Sequence, residues 1–232
     1  MSELAKGGTG QTRPSEPTGS NTPQFRKTGQ WQIVDVPLGH YKALYEQSDA
    51  KEIEARTGLR FDREAGRFEL VLVGKQYYVN HPVFETGVEA ETYEGILLLR
   101  YLLEGKFAPA SGRMLAFDEM PWGHVYATQF QGRVIGRFAR AFGRDPMLLS
   151  AAVEGIPGLR FERIGGADSA YRFEFLNGLY LDVLVWMADD EFPASAQMLF
   201  SDNFKYAFTA EDMAVVGDVA VSRLKRALVE NK

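Results

Sequence analysis

The sequence predicts an α+β protein, with two similar lobes of antiparallel strands flanked by helices, behind a disordered N-terminal tail. Three observations carry this. The runs RFELVLV, YRFEF and LYLDVLVWM are strand-like and bounded by turn residues. Helical spacings with capping residues surround them. The same order of elements occurs twice along the chain.

Residues 1 to about 24 contain one large aliphatic, Leu4, among Gly, Thr, Ser, Pro and Gln. Such a segment buries too little apolar area to offset its ordering entropy, so a disordered tail is expected there. Residues 25–232 read as a single α+β domain whose folded part starts near Trp31. Tyr41, Leu44 and Tyr45 have helical spacing. Ser48 and Asp49 cap a second helix that Gly58 stops. LRFD and RFELVLV follow as strands. The second is almost continuously apolar, which predicts a strand covered on both faces. After the Gly74 turn, KQYYVNHP is the next strand, ended by Pro82. A helix over about 90–104 is apolar nearly all round and expected to be deeply buried.

LAF, before the loop-like EMPWGH, is a further strand candidate. Phe130, Val134, Ile135, Phe138, Ala139 and Phe142 mark one face of a helix over about 126–143. Asp145 with Pro146 behind it is a helix start, and Gly155 ends that helix. LRFERI, YRFEF and LYLDVLVWM are strands, the last two joined by the hairpin signal Asn177-Gly178. Thr209 caps the last helix, with Glu211 and Asp212 in its first turn and Met213, Val216, Ala220, Leu224 and Leu228 as its buried stripe. Gly58-Leu59-Arg60-Phe61 and Gly158-Leu159-Arg160-Phe161 occupy matching places after a short helix and before strands. This suggests an internal duplication over about 40–105 and 132–229, with the two lobes sharing a sheet or facing each other across a cleft.

The chain has 232 residues, 45% hydrophobic and 25% charged, the ordinary globular balance. A net charge of −5 argues against nucleic-acid binding, which needs cations to neutralise phosphates. With no cysteine, iron–sulfur clusters and thiolate zinc on its own residues are excluded, as are disulfides and a cysteine nucleophile. No apolar run approaches the ~18–20 residues needed to span a bilayer. The N-terminus lacks the apolar core of a secretory signal. A cytoplasmic location without a membrane partner is expected.

Candidate site residues fall into several groups. Asp189, Asp190 and Glu191, with Asp202 further on, offer oxygen ligands for a hard cation. The plainer reading of the first three is a solvated turn whose acids cap backbone N–H groups. Asp182 lies within an apolar strand, on the face of Tyr180, Leu184 and Trp186, and needs a partner such as Arg160 or Arg172. Arg133, Arg137, Arg140 and Arg144 line one side of the 126–143 helix and suit phosphates or carboxylates; the plainer reading is a solvated face. His124, beside Trp122 and near Asp118 and Glu119, is a general-base candidate. No zinc-binding histidine pattern, nucleophile elbow, P-loop or Rossmann fingerprint is present.

The C-terminal string Leu184-Val185-Trp186, Asp189-Asp190-Glu191-Phe192-Pro193, Gln197-Met198-Leu199-Phe200, Asn203 and Thr209 to Asp212 resembles the bacterial and archaeal domain-of-unknown-function family DUF3786. Tyr41, Ala55-Arg56-Thr57-Gly58 and Phe142-Gly143 are similar to that family's pattern too, so the resemblance spans roughly residues 31–229. It implies no established activity. Members tend to occur in anaerobes, and some carry cysteine motifs suggestive of iron–sulfur clusters, a role this cysteine-free chain is not expected to share. A link to corrinoid or one-carbon metabolism is analogy alone.

The function expected from these features is a small-ligand or cofactor-binding accessory module. A small anionic ligand would sit in a cleft, gripped by the arginines and by aromatics such as Trp186. The alternatives are a metal-assisted hydrolase or transferase built on the acidic cluster, and a protein–protein interaction domain with no small-molecule site.

Overall fold

The computed structural model describes residues 37–87 and 92–230, and the tail expected over 1–24 lies outside the described residues. Helices α1 (Pro37–Glu46) and α2 (Ala50–Thr57) open the described chain. The Asp49 carboxylate accepts the Lys51 N–H at 2.8 Å, and Gly58 closes α2 in the left-handed region at φ 69°. Both ends of α2 are thus set by local chemistry.

Strands β1 (Phe61–Asp62), β2 (Arg67–Leu72) and β3 (Lys75–Asn80) follow. The expectation that β2 is covered on both faces is corrected by the structure. Phe68, Leu70 and Leu72 are buried, whereas Glu69 is exposed and Val71 is 42% exposed. An apolar run does not distinguish a two-faced strand from one that leaves a valine in water. Helix α3 (Thr92–Glu104) is buried on most sides, as its composition predicts.

After β4 (Met114–Ala116) and a single 3-10 turn comes one long helical stretch, α4 (Gly123–Phe130) and α5 (Gly136–Phe142). The two are joined by a π turn over Gln131–Ile135, in which the Gly136 N–H reaches the Gln131 carbonyl. Helix α6 (Pro146–Glu154) starts at Asp145, whose carboxylate accepts the Met147 N–H at 2.8 Å. Strands β5 (Phe161–Arg163), β6 (Ser169–Leu176), β7 (Leu179–Trp186) and β8 (Ser195–Ser201), then α7 (Phe204–Ala207) and α8 (Ala210–Glu230), complete the described chain. Strand β8 was not anticipated, because SAQMLFS mixes polar and apolar residues without clean alternation.

All eight strands form one antiparallel sheet in the order β1-β2-β6-β7-β8-β4, with β3 on β2 and β5 on β6. The strands of both halves are therefore in one sheet, joined where Leu72 of β2 pairs Leu176 of β6. Each half supplies a hairpin whose two turn residues have positive φ: Val73 and Gly74 at 44° and 75°, Asn177 and Gly178 at 43° and 78°. Such turns match the twist of the strands they join.

Each hairpin tip docks on the Gly-Leu-Arg-Phe loop of the other half. The Asn177 side-chain amide donates to the Thr57 carbonyl at 2.9 Å. A Cβ on Gly74 would lie 2.7 Å from the Pro157 carbonyl and 2.9 Å from the Leu159 nitrogen. Among the described residues, no helix is long and apolar enough to cross a membrane.

Candidate functional site

Helix α8 is buried on nearly all sides over residues 212–221, although it carries Asp212 and Asp218 there. A carboxylate in such a place needs partners. Asp212 lies 3.0 Å from the Arg100 guanidinium of α3. It also closes a reciprocal cap, accepting the Thr209 N–H at 3.1 Å while its own N–H reaches the Thr209 hydroxyl at 3.3 Å.

Asp218 faces the π turn and α5. Arg137 is 3.2 Å and Arg133 3.9 Å from its carboxylate. Arg137 also donates to the Asp218 carbonyl at 2.9 Å and to the Ser222 hydroxyl at 3.3 Å. Burial pushes the Asp218 carboxyl above its ordinary range, while Arg137 and Arg133 pull it down without cancelling the effect.

Five residues further along α8, the Arg223 Nε lies 2.7 Å from Glu94, a residue of α3 that is 2% exposed. The Tyr77 hydroxyl of β3 donates to Glu94 at 2.5 Å and accepts from Arg223 at 3.0 Å. Burial, and then the neighbouring Glu94 carboxylate, raise the Tyr77 hydroxyl, so it stays protonated as this donor.

Arg133, Arg137, Arg223 and Arg226, with Glu94 and Asp218, line a cavity of about 100 Å³ alongside Tyr93, Val219 and Ser222. Among the described residues, four guanidinium groups and two carboxylates thus line it. The approach of α8 to the π turn is close at Gly217, where a Cβ would lie 2.8 Å from both Phe130 Cε2 and Val134 Cγ1. Gly217→Ala is expected to cost about 1–3 kcal/mol by overpacking, read as a lower midpoint in urea denaturation, and to weaken the alignment of Asp218 with Arg137.

The structure brings together part of the arginine row anticipated from sequence. Arg133 and Arg137 reach the cavity, but Arg140 and Arg144 are exposed on the outer side. Trp186, Asp182 and His124 lie elsewhere. Asp182 is buried opposite Arg172 on the neighbouring strand, held by two bonds of 2.7 and 2.8 Å. Trp186 is half-buried at the end of β7, and His124 is exposed in α4, stacked near Trp122 at 6.4 Å between ring centroids.

The four carboxylates proposed as metal ligands are not brought together. Asp189, Asp190 and Glu191 are exposed, and one Asp189 oxygen accepts the N–H groups of Phe192 and Glu191, which holds its carboxyl below the usual range. Asp202 is taken up by the backbone N–H and hydroxyl of Ser111 at 3.0 and 2.8 Å. Among the described residues, no three His, Cys, Asp or Glu side chains are grouped so as to hold a metal ion. Asp189 and Asp202 thus cap backbone donors.

Sequence reasoning missed Tyr77, Glu94, Asp218, Ser222, Arg223 and Arg226. A signal existed for two of them. Glu94 and Asp218 are lone carboxylates in the apolar runs YEGILLL and MAVVGDVAV, the same oddity that drew attention to Asp182.

A larger cavity, about 650 Å³, lies beside α4 and β8, and among the described residues Asp118 is the one charged residue lining it. A cavity of about 420 Å³ is lined by two arginines, Arg160 and Arg172, against the four of the smaller pocket. Fold and pocket together define an α+β protein with a guanidinium-lined cavity against its buried C-terminal helix. The family model described as Domain of unknown function (DUF3786) matches residues 49–223, and the chain belongs to that family. No curated protein and no solved structure matches the chain.

Proposed function

We propose that the chain is a cytoplasmic binding module for a small oxyanion, held by Arg133, Arg137 and Arg226 in the pocket between α3, α5 and α8. The observation that carries this is the convergence of four guanidinium groups, among the described residues, on a cavity of about 100 Å³. Guanidinium forks match the oxygens of phosphate, sulfate and carboxylate groups. At roughly 30 Å³ per water, the cavity has room for about three waters, which suits one such group. It does not suit a whole cofactor, so a larger ligand would enter only by an anionic end. The acidic net charge supports a small anion over a nucleic acid as partner. The cross-docked hairpins support an internal duplication over about 40–105 and 132–229, and the pocket draws Tyr93 and Glu94 from the first of these segments and its arginines from the second.

The test is a thermal-shift titration of the full chain with sulfate and phosphate. At 100 times Kd the anion adds about 2.7 kcal/mol, which for a chain of this size is a rise of about 5 °C or more. Arg137→Ala is expected to abolish the rise, and Arg140→Ala, on the exposed side of the same helix, to leave it intact. No rise in the wild type, or an equal rise in Arg137→Ala, would overturn the reading.

A further inference from the structure

Asp218 occupies the position from which an incoming oxyanion would make its contacts. Its carboxylate sits 3.2 Å from Arg137 and 3.9 Å from Arg133, on the wall of the same small cavity. An anion in about 100 Å³ cannot keep clear of it, and two negative groups that close disfavour each other's ionisation. We infer that Asp218 is a built-in competitor for the anion site, and that filling the pocket is coupled to uptake of a proton by Asp218. This rests on the pocket being an anion site.

The surroundings support the exchange. Arg137 does not depend on the Asp218 carboxylate for its place, because the Asp218 carbonyl and the Ser222 hydroxyl hold it at 2.9 and 3.3 Å. Neutralising Asp218 therefore leaves a guanidinium still aimed at the cavity. Asp218 is 7% exposed, so its charge is poorly hydrated, and its carboxyl is already raised by that burial.

The other described charged groups around it come from the elements packed on α8. From the π turn and α5 come Arg133 and Arg137, and from α8 itself Arg223 and Arg226. From α3 come Tyr93 and Glu94, the latter committed to Arg223 and Tyr77. Helices α4 and α6 also pack on α8. The titratable residues of α4 are His124, which is exposed, and Tyr126, raised by burial and then by Glu211. Helix α6 has Glu154, bonded by Ser150 at 2.8 Å. Among the described residues, Asp218 is thus the acid on this wall that is shared with the cavity arginines Arg133 and Arg137.

The experiment is calorimetric titration of the full chain with sulfate, which keeps its two charges across the range used. Runs at about pH 5.5 and about pH 7.5 bracket the interval above the ordinary carboxylate range, in buffers of different ionisation heat. The wild type is expected to bind more tightly at the lower pH, by up to about tenfold per pH unit where a whole proton is taken up, and the buffer dependence should count that proton directly. Asp218→Asn is expected to bind at least about tenfold more tightly than wild type at the higher pH and to lose both the pH dependence and the proton.

Sulfate binding by the wild type with no proton uptake, or unchanged affinity in Asp218→Asn, overturns the competitor role while leaving the anion site standing. No sulfate binding by either protein at either pH overturns both. Binding by Asp218→Asn alone at the higher pH supports the competitor role.

Discussion

Glu94→Ala is expected to lower the stability of the protein by about 3–5 kcal/mol, the range for breaking a buried ion pair from one side. Glu94 is 2% exposed and lies 2.7 Å from Arg223, and it also accepts from the Tyr77 hydroxyl. Removing the carboxylate strands the Arg223 guanidinium, whose side chain is 14% exposed, and leaves the Tyr77 hydroxyl without its acceptor. For a chain of this length the loss corresponds to a fall in Tm of about 10 °C.

The pair is not in itself a large source of stability, because desolvating both charges offsets most of their attraction. The combined change Glu94→Leu, Arg223→Met and Tyr77→Phe, which removes all three of these polar groups, is therefore expected to recover most of the loss. Urea denaturation of the single and combined variants measures both. A cost below about 1 kcal/mol for Glu94→Ala would show that the trio behaves as a solvated surface pair instead.

Arg172→Ala is expected to cost about 3 kcal/mol, and Arg160→Ala less than about 1 kcal/mol, although both arginines stand over the same sheet and both have acidic partners. The difference lies in what each leaves behind. Arg172 grips Asp182 through two bonds of 2.7 and 2.8 Å, and Asp182 is 4% exposed, so its loss leaves a buried carboxylate unpaired. Arg160 pairs Glu174 at 3.3 Å with 84% of its own side chain in solvent, where water takes over its role. Denaturation midpoints of the two single variants measured side by side give the comparison, and equal losses would mean that burial of Asp182 does not govern the effect.

Much of the local structure was legible in the sequence because its determinants lie within three or four residues of one another. Asp49 and Gly58 bound α2, Asp145 and Pro146 start α6, Thr209 caps α8, and Asn177-Gly178 turns a hairpin. Each is a side chain satisfying a nearby backbone group or a residue that tolerates positive φ. Asp189 belongs to the same class, its carboxylate accepting two nearby backbone N–H groups. The candidate site was less legible. Half of the arginine row could be read from its spacing, but the acids it meets come from helices distant in sequence.

What the sequence determined by itself was therefore the set of elements, their caps and turns, and the presence of charges that an apolar helix or strand cannot bury alone. Tertiary structure decided which partner each charge received. A two-residue turn at Asn177-Gly178 pairs Leu176 with Leu179, and on an unbroken ladder Arg172 would then stand opposite Val183. The register instead shifts between Glu174 and Leu176, placing Arg172 opposite Asp182. The irregularity falls where the Phe175 carbonyl turns to accept the Val73 N–H at 2.9 Å from the other hairpin. Glu94 and Arg223 likewise meet only because α3 and α8 pack together. Long-range packing sets these pairings, since the energy of a buried charge depends on what the fold brings within a few ångströms of it and not on its neighbours in the chain.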